Sequence, residues 1–406
     1  MKYALPIMGS VAAIALFAIS TASQQAMADD QPSYSDTFEQ LDLFADVMAR
    51  VRSDYVVEVE DGQLIEDAIN GMLQSLDPHS SYVNADSFRD LQVQTSGRYV
   101  GVGMEVTQED GYVKVVAPID GSPAAEAGIQ SGDFITEIDG VTVLGLSLTE
   151  AVNTIRGKEG EPVTLTIARI DEDPQDITLV RREVNREVVR HEVKDDIPYV
   201  RISQFNEKAA PGLKSAIEEL QASFSGDLPG LILDLRTNPG GLLDQSIKVS
   251  SVFLDGGEVV STRGRNGVDI ESYEAEAGEM LDGVPLVVLI DEASASASEI
   301  VAGAVQDRGR GLVIGMTSFG KGSVQSLIPL RGGRDGALRL TTQRYYTPEG
   351  RSIQGTGIDP DLFISAIPDD GEDHSRLSES DLPNYIENEN GDLGSEPDTV
   401  DINYPT

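Results

Sequence analysis

The chain is 406 residues long, carries a formal net charge of −39, and contains no cysteine and three histidines. The length allows two or three domains, each with its own core. Without cysteine there is neither a thiol nucleophile nor a thiolate zinc site, and none of His79, His191 and His374 stands in a His-Glu-x-x-His pattern. The charge argues against nucleic acid as a partner, because phosphate binding needs clustered Lys and Arg, and nothing reads as a metal or cofactor site.

The first residues give an address. Lys2 supplies a positive start, Val11 to Ile19 an apolar run, and Ala26-Met27-Ala28 a small-residue cleavage site, the order of a secretory signal peptide cut near Ala28. The apolar run is short for a bilayer span of ~20 residues. A soluble, exported protein is expected, with the periplasm as its compartment. Residues 29–95 read as an N-terminal helical domain. Phe38, Leu41, Phe44, Ala45, Met48 and Val51 recur at three and four, and a second helix runs from Leu64 to Leu76, ended by Asp77-Pro78. The apolar faces of these helices have little partner surface within so short a segment, which points to a homo-oligomer.

From 96 to 184 the texture changes to short β-like runs, Tyr112 to Ala117, Phe134 to Ile138 and Val163 to Arg169, with helical pieces at Ala124 to Ala127 and Leu148 to Ile155. Tyr99-Val100-Gly101-Val102-Gly103, Gly121-Ser122-Pro123-Ala124-Ala125-Glu126-Ala127-Gly128-Ile129, Gly132-Asp133-Phe134-Ile135 and Ile138-Asp139-Gly140, taken together, resemble a PDZ domain of the bacterial type. That resemblance implies capture of a peptide by its terminal carboxylate at a sheet edge. Gly101 and Gly103 would let the backbone approach, and Val100 and Val102 would line the pocket. Arg156 reads as a solvated helix end, with pairing to a catalytic-domain acid as the alternative.

Residues 185–367 alternate strands and helices. Leu231 to Arg236 is a buried-type strand, followed by Asn238-Pro239-Gly240-Gly241 and a helix to about Leu254; Val284 to Ile290 and Leu312 to Ile314 continue the pattern, so a largely parallel α/β layer is expected. Val324 to Leu330 and Ala337 to Tyr345 read as an added hairpin. The remainder, 368–406, holds twelve Asp or Glu against one Arg and reads as an acidic, disordered tail.

Two residues in the third block carry chemistry. Ser296 sits in a small-residue turn, Ser294-Ala295-Ser296-Ala297-Ser298, between an apolar strand and a helical stretch, and Lys321 is bracketed by Gly320 and Gly322 with Phe319 and Val324 nearby. A serine nucleophile with a lysine base is the reading they invite. Such a lysine must be neutral, so its pKa has to fall by about 3 from ~10.4, a bias of ~4 kcal/mol that burial can supply. Gln325, on the same face of an extended segment, can accept a lysine hydrogen bond without adding charge. The oxyanion needs N–H donors. Ala297, at the start of the helix, is one candidate and the Gly240-Gly241 turn the other, with the choice of glycine left open. Ser294 and Ser298 are set aside as nucleophiles, Glu299 reads as a first-turn helix acid, and His79 as a structural turn residue.

Leu76-Asp77-Pro78-His79-Ser80, the PDZ motifs, Asp234-Leu235-Arg236 with Asn238-Pro239-Gly240-Gly241, Ser294 to Ile300, Phe319-Gly320-Lys321-Gly322 and Gly355-Thr356-Gly357-Ile358-Asp359-Pro360-Asp361 resemble, in order, the carboxyl-terminal processing protease (tail-specific protease) family. The resemblance implies Ser296 as nucleophile, Lys321 as general base and Gln325 as the residue that orients it. It implies a multidomain α+β and α/β fold, with a helical N-terminal domain and a PDZ domain inserted before a crotonase-like ββα protease core. It also implies substrates among exported or envelope proteins with accessible C-termini, no cofactor, and in some members an adaptor lipoprotein or a conformational switch. The competing readings are a catalytically silent PDZ scaffold and, on fold analogy alone, an acyl-CoA enzyme.

Overall fold

The computed structural model describes residues 34–365 and 378–389, apart from 110, 120, 170, 171, 186 and 227. The expected signal peptide, His374 and most of the acidic tail lie outside these residues. The chain divides into two units, one up to Ile69 and one from Asn70 onward. Among the described residues no helix is long and apolar enough to cross a membrane.

The first unit holds the helix Tyr34–Asp54 and the start of the helix Asp61–Gln74, joined by an Arg52–Asp61 ion pair at 3.1 Å. Phe38, Leu41 and Phe44, the residues whose spacing predicts the first helix, are exposed. Past Ile69 the chain enters the second unit, where Asn70 Oδ1 accepts from Tyr82 N–H at 2.9 Å. Here Ser81–Val83 pairs antiparallel with the strand Ala337–Tyr346, opposite Arg339, Leu338 and Ala337. A three-residue strand gives no periodicity to read, so only its partner could reveal it.

Within the second unit, the PDZ-like sheet has six antiparallel strands: Met104–Glu109, Tyr112–Pro118, Phe134–Ile138, Pro162–Ala168 and Gln175–Val180 lie in that order, and Val141–Thr142 pairs with Phe134–Ile138. The helices Pro123–Glu126 and Leu148–Ile155 accompany it. Alternate residues of each strand point inward, so Val113, Val115, Ile135, Ile138, Val163, Leu165 and Ile167 make one core. Buried Arg181 donates to the Thr154, Ile155 and Pro162 carbonyls, satisfying carbonyls that the helix Leu148–Ile155 leaves open at its end. Arg156 is not simply solvated. Its Nη1 donates to Asp90 Oδ1 at 2.9 Å, on the helix Ala85–Ser96.

A second sheet of six strands runs Val189–Lys194, Ile197–Ile202, Leu231–Asp234, Leu286–Ile290, Leu312–Gly315, Leu362–Phe363. The first pair is antiparallel and the remaining neighbours are parallel, as strand-helix alternation requires. Helices Ala209–Ser223 and Ala297–Asp307 bury Leu213, Ile217, Leu220, Ile300, Val301 and Val305 in the same core as Val200, Leu233 and Val288. The expected hairpin forms, Ser323–Pro329 against Ala337–Tyr346, but as part of a five-stranded sheet. The other edge of Ala337–Tyr346 takes Ser81–Val83 at one end and Glu258–Arg263 at the other.

Part of the expected tail, residues 378–389, is described, and within it Glu379 is fully buried. Its carboxylate meets His79 Nε2 at 2.8 Å and accepts from Gln354 Nε2 at 3.0 Å, while its N–H donates to Phe319 O at 3.0 Å. Asn384 Nδ2 donates to Gln74 O at 3.1 Å. Net acidity disguises this stretch, because one buried, partnered carboxylate outweighs the solvated ones around it.

The turn before Ala337 places the Asp77–Val83 segment. Gly336 has φ +78°, and a Cβ there would lie 2.1 Å from Val83 O. Gly336→Ala should therefore destabilise the protein by about 3 kcal/mol. Gly256→Ala, with φ +61° and open space around the Cβ, should cost only about 1 kcal/mol. Urea unfolding midpoints that shift equally for the two variants would show that the Val83 contact contributes nothing.

Candidate active site

The site lies at the carboxyl ends of the parallel strands Leu231–Asp234 and Leu286–Ile290, where α/β sheets open a crevice. Asn238 stitches the two strand ends together. Its Nδ2 donates to Ile202 O at 2.8 Å, its Oδ1 accepts from Gly240 N–H at 2.9 Å, and its carbonyl accepts from Ala295 N–H at 3.0 Å. The hydroxyls of Ser294 and Ser298 are spent on the Leu235 and Asn238 carbonyls, each at 2.9 Å. That leaves Ser296 as the serine of this turn with a free role.

Ser296 has φ 55°, ψ −111° and immediately precedes the helix Ala297–Asp307. A non-glycine residue at positive φ costs about 1–3 kcal/mol and persists only where its surroundings over-determine it. Two neighbours do so here. Gly240 passes so close that a Cβ would lie 2.9 Å from Ser296 Cβ and 2.8 Å from Ala297 N. On the other side, Ser296 N–H donates to Glu299 Oε2 at 2.6 Å.

Glu299 is the residue that sequence reading undervalued. It is fully buried, and four donors converge on it. Oε2 accepts from Ser296 N–H at 2.6 Å and Lys321 N–H at 3.0 Å, and Oε1 from Ser318 Oγ at 2.6 Å and Gly320 N–H at 2.7 Å. Burial raises its carboxyl to about 7 against the pull of these hydrogen bonds. The available signal was the Ser-x-x-Glu spacing at a helix start, which marks a carboxylate aimed back at the turn.

Lys321 Nζ donates to Gln325 Oε1 at 2.5 Å and to Ser323 O at 3.2 Å. Burial lowers its ammonium to about 8, with Glu379, Glu299 and Asp77 pulling upward and Arg339 downward. Lys321 and Gln325 therefore meet as the extended spacing predicts. The structure ties Lys321 to Ser296 through the backbone, by way of Glu299, and among the described residues no hydrogen bond runs directly from Nζ to Ser296 Oγ. Ser296 Oγ instead neighbours Tyr345. This phenol is buried, and burial pushes it up while the hydrogen bond with Ser296 opposes the rise, so the phenol stays neutral beside the serine.

The two predicted glycines differ. Gly240 N–H is already taken by Asn238 Oδ1. Among the described residues the N–H groups of Gly241 and Ala297 donate to no protein group, and a Cβ on Gly241 would strike Phe205 O at 2.1 Å. Val100, Gly101, Val102 and Gly103 all line one cavity of about 220 Å³, with Ile119, Val152 and Arg156 on its walls. Among the described residues no group of acidic and histidine side chains could hold a metal.

Residues 196–364 match the model of peptidase family S41, 114–169 that of a PDZ domain, and 7–87 that of the N-terminal domain of the activating protease CtpB. A carboxy-terminal-processing protease of Bartonella bacilliformis is 50% identical over 365 residues, 89% of this chain and 84% of the relative. A probable CtpA-like serine protease of Staphylococcus haemolyticus is 37% identical over 78% of this chain and 63% of its own length. Among solved structures, the photosystem II D1 C-terminal processing protease aligns over 78% of this chain and 85% of its own, at 30% identity and a TM-score of 0.47. With its PDZ domain, its S41 core and half of its aligned residues shared with such an enzyme, the chain belongs to the carboxy-terminal-processing protease family of serine peptidases.

Proposed function

We propose that this protein is an exported serine endopeptidase that grips protein C-termini in the cavity at Val100–Gly103 and cleaves with Ser296 and Lys321 through an acyl-enzyme. The observation that carries the reading is the hydrogen bonding of Lys321 Nζ. A neutral amine has two N–H donors and one lone pair. Gln325 Oε1 and Ser323 O accept the two donors, so the lone pair remains for a proton, and among the described residues no third acceptor is hydrogen-bonded to Nζ. Burial adds to this preference for the neutral form. A silent scaffold gives no account of it.

The reaction then runs in balanced steps. Ser296 Oγ attacks the scissile carbonyl as its proton passes to Lys321 Nζ, and the carbonyl electrons move onto an oxyanion held by the N–H groups of Ala297 and Gly241. The oxyanion collapses, the C–N bond breaks, and Lys321 returns its proton to the departing amine. Water attacks the ester while Lys321 takes its proton, the C–Oγ bond breaks, and the proton restores the serine. Glu299 keeps the backbones of both residues on one anchor. The crotonase-like ββα description of the core belongs to the same proposal, as do export through the leader and Gly241 as the second oxyanion donor. In the capture cavity Gly101 has open space where a side chain would stand, leaving room for a terminal carboxylate against the backbone.

Three measurements test this. With a loosely folded protein carrying a free apolar C-terminus, mass spectrometry should find cleavage by the wild type and a loss of about 10³-fold or more in Ser296→Ala and Lys321→Ala; equal cleavage by all three would assign the activity elsewhere. The rate constant kcat should fall about tenfold per pH unit below 8, because the ammonium form cannot accept the serine proton, and more steeply below 7, where Glu299 takes up a proton. A flat profile from 6 to 9 would remove Lys321 as base. Glu299→Gln puts an amide N–H against two of four donors and should cost kcat about a hundredfold; wild-type turnover in this variant would mean that the shared anchor has no catalytic part.

A further inference from the structure

Gln325 orients Lys321 only if its oxygen faces Nζ. With the amide reversed, its NH₂ would donate to the lysine lone pair and consume the base. Nothing in a glutamine side chain chooses between the two orientations, so the choice must come from whatever meets its other end. Gln325 Nε2 lies 3.0 Å from Ser323 Oγ and 3.1 Å from Thr341 Oγ1. A hydroxyl both donates and accepts, and by itself it fixes nothing.

Thr341 is not by itself. Its hydroxyl donates to Asp77 Oδ1 at 3.0 Å. Asp77 is buried and surrounded by donors. Its Oδ1 also accepts from His79 N–H at 2.9 Å and Ser80 N–H at 2.8 Å, and its Oδ2 from Ser80 Oγ at 2.6 Å. The Ser80 hydroxyl is directed at Asp77, and its oxygen accepts Thr341 N–H at 3.0 Å. Burial works against ionisation of Asp77, yet the bonds from Ser80, His79 and Thr341 hold its carboxyl below the usual range. An ionised carboxylate is an acceptor only. Thr341 must therefore give its one proton to Asp77 and can only accept from Gln325.

Resting on the reading of Lys321 as base, we propose that Asp77 and Thr341 are positioning residues that set hydrogen-bond polarity: the carboxylate forces Thr341 to accept, Thr341 forces Gln325 to turn its NH₂ away from the site, and the amide oxygen is thereby presented to Lys321. The relay crosses from the turn before Ser81–Val83, through the strand Ala337–Tyr346, to the strand Ser323–Pro329. Its purpose is a direction; the one charge it carries, on Asp77, is separated from Nζ by Thr341 and Gln325. The charged groups around Lys321 are Glu379, Glu299, Asp77 and Arg339, and the variants below leave all four in place.

The test compares wild type, Thr341→Val, Thr341→Ser and Lys321→Ala across pH on one peptide substrate. Valine keeps the shape of threonine without its hydroxyl, and melting temperatures are compared first; if Thr341→Val does not fold, Thr341→Ala carries the same readings. Thr341→Val should lose roughly tenfold to a hundredfold in kcat with KM held within about twofold. Its acid limb should move to lower pH, because an ammonium that loses its amide-oxygen acceptor is easier to deprotonate. Thr341→Ser should stay within about threefold of wild type in kcat. Wild-type kcat in Thr341→Val, equal damage from serine, or an acid limb displaced upward toward the ordinary lysine value, as general loosening and hydration would give, each overturns the relay. An inert Lys321→Ala beside an unimpaired Thr341→Val would discard the relay alone, whereas an active Lys321→Ala would discard the base and the relay together.

Discussion

The site depends on one carboxylate placed where a carboxylate is expensive. Glu299 is fully buried and, among the described residues, has four donors and no cation within hydrogen-bond reach. Burial opposes its charge, and only the convergence of N–H and O–H groups keeps the ionised form within reach of neutral pH. In return it fixes two stretches of backbone that are distant in sequence. Ser296 can occupy positive φ because its N–H is bound and Gly240 leaves no other path. The Lys321 loop holds its course because Gly320 and Lys321 donate to the same side chain.

Around that anchor the lysine is balanced between opposing influences. Three acids, Glu379, Glu299 and Asp77, favour its ammonium, while burial and Arg339 oppose it. Burial wins, and the amine sits at about 8. The two acceptors at Nζ match the needs of a neutral amine. A chain with so large a negative charge would ordinarily hold a lysine charged; here its nearest partners are an amide and a carbonyl.

Much of this was legible in the sequence because the signals were local. Ser296 announced itself by the strand, small-residue turn and helix around it, and Lys321 and Gln325 by their glycines and their four-residue spacing, with Lys321 just before the strand that carries Gln325. Three PDZ strands and both helices follow their apolar periods to within a residue or two, while Met104–Glu109 and Gln175–Val180 gave no such period. What was not legible depends on pairing across long separations. Asp77 and Thr341 are an ordinary turn acid and strand threonine until the strand Ser81–Val83 docks beside Ala337–Tyr346. Glu379 was lost in the average of an acidic tail, since composition describes a segment and burial belongs to a single side chain. Gly240 and Gly241 could be recognised as a pair but not sorted, because only the Asn238 side chain distinguishes their N–H groups.

The packing of Glu379 sets an order of events in the life of the chain. The loop that carries Lys321 is held partly by Phe319 O, which accepts from Glu379 N–H, and Glu379 in turn reaches back to His79. His79 and Phe319 thus wait for a segment far beyond the lysine in sequence before their surroundings are complete. A chain emerging from the ribosome in N-to-C order has Ser296 before the surroundings of Lys321 are complete, so a peptidase built this way withholds that finished environment from a partly made copy of itself.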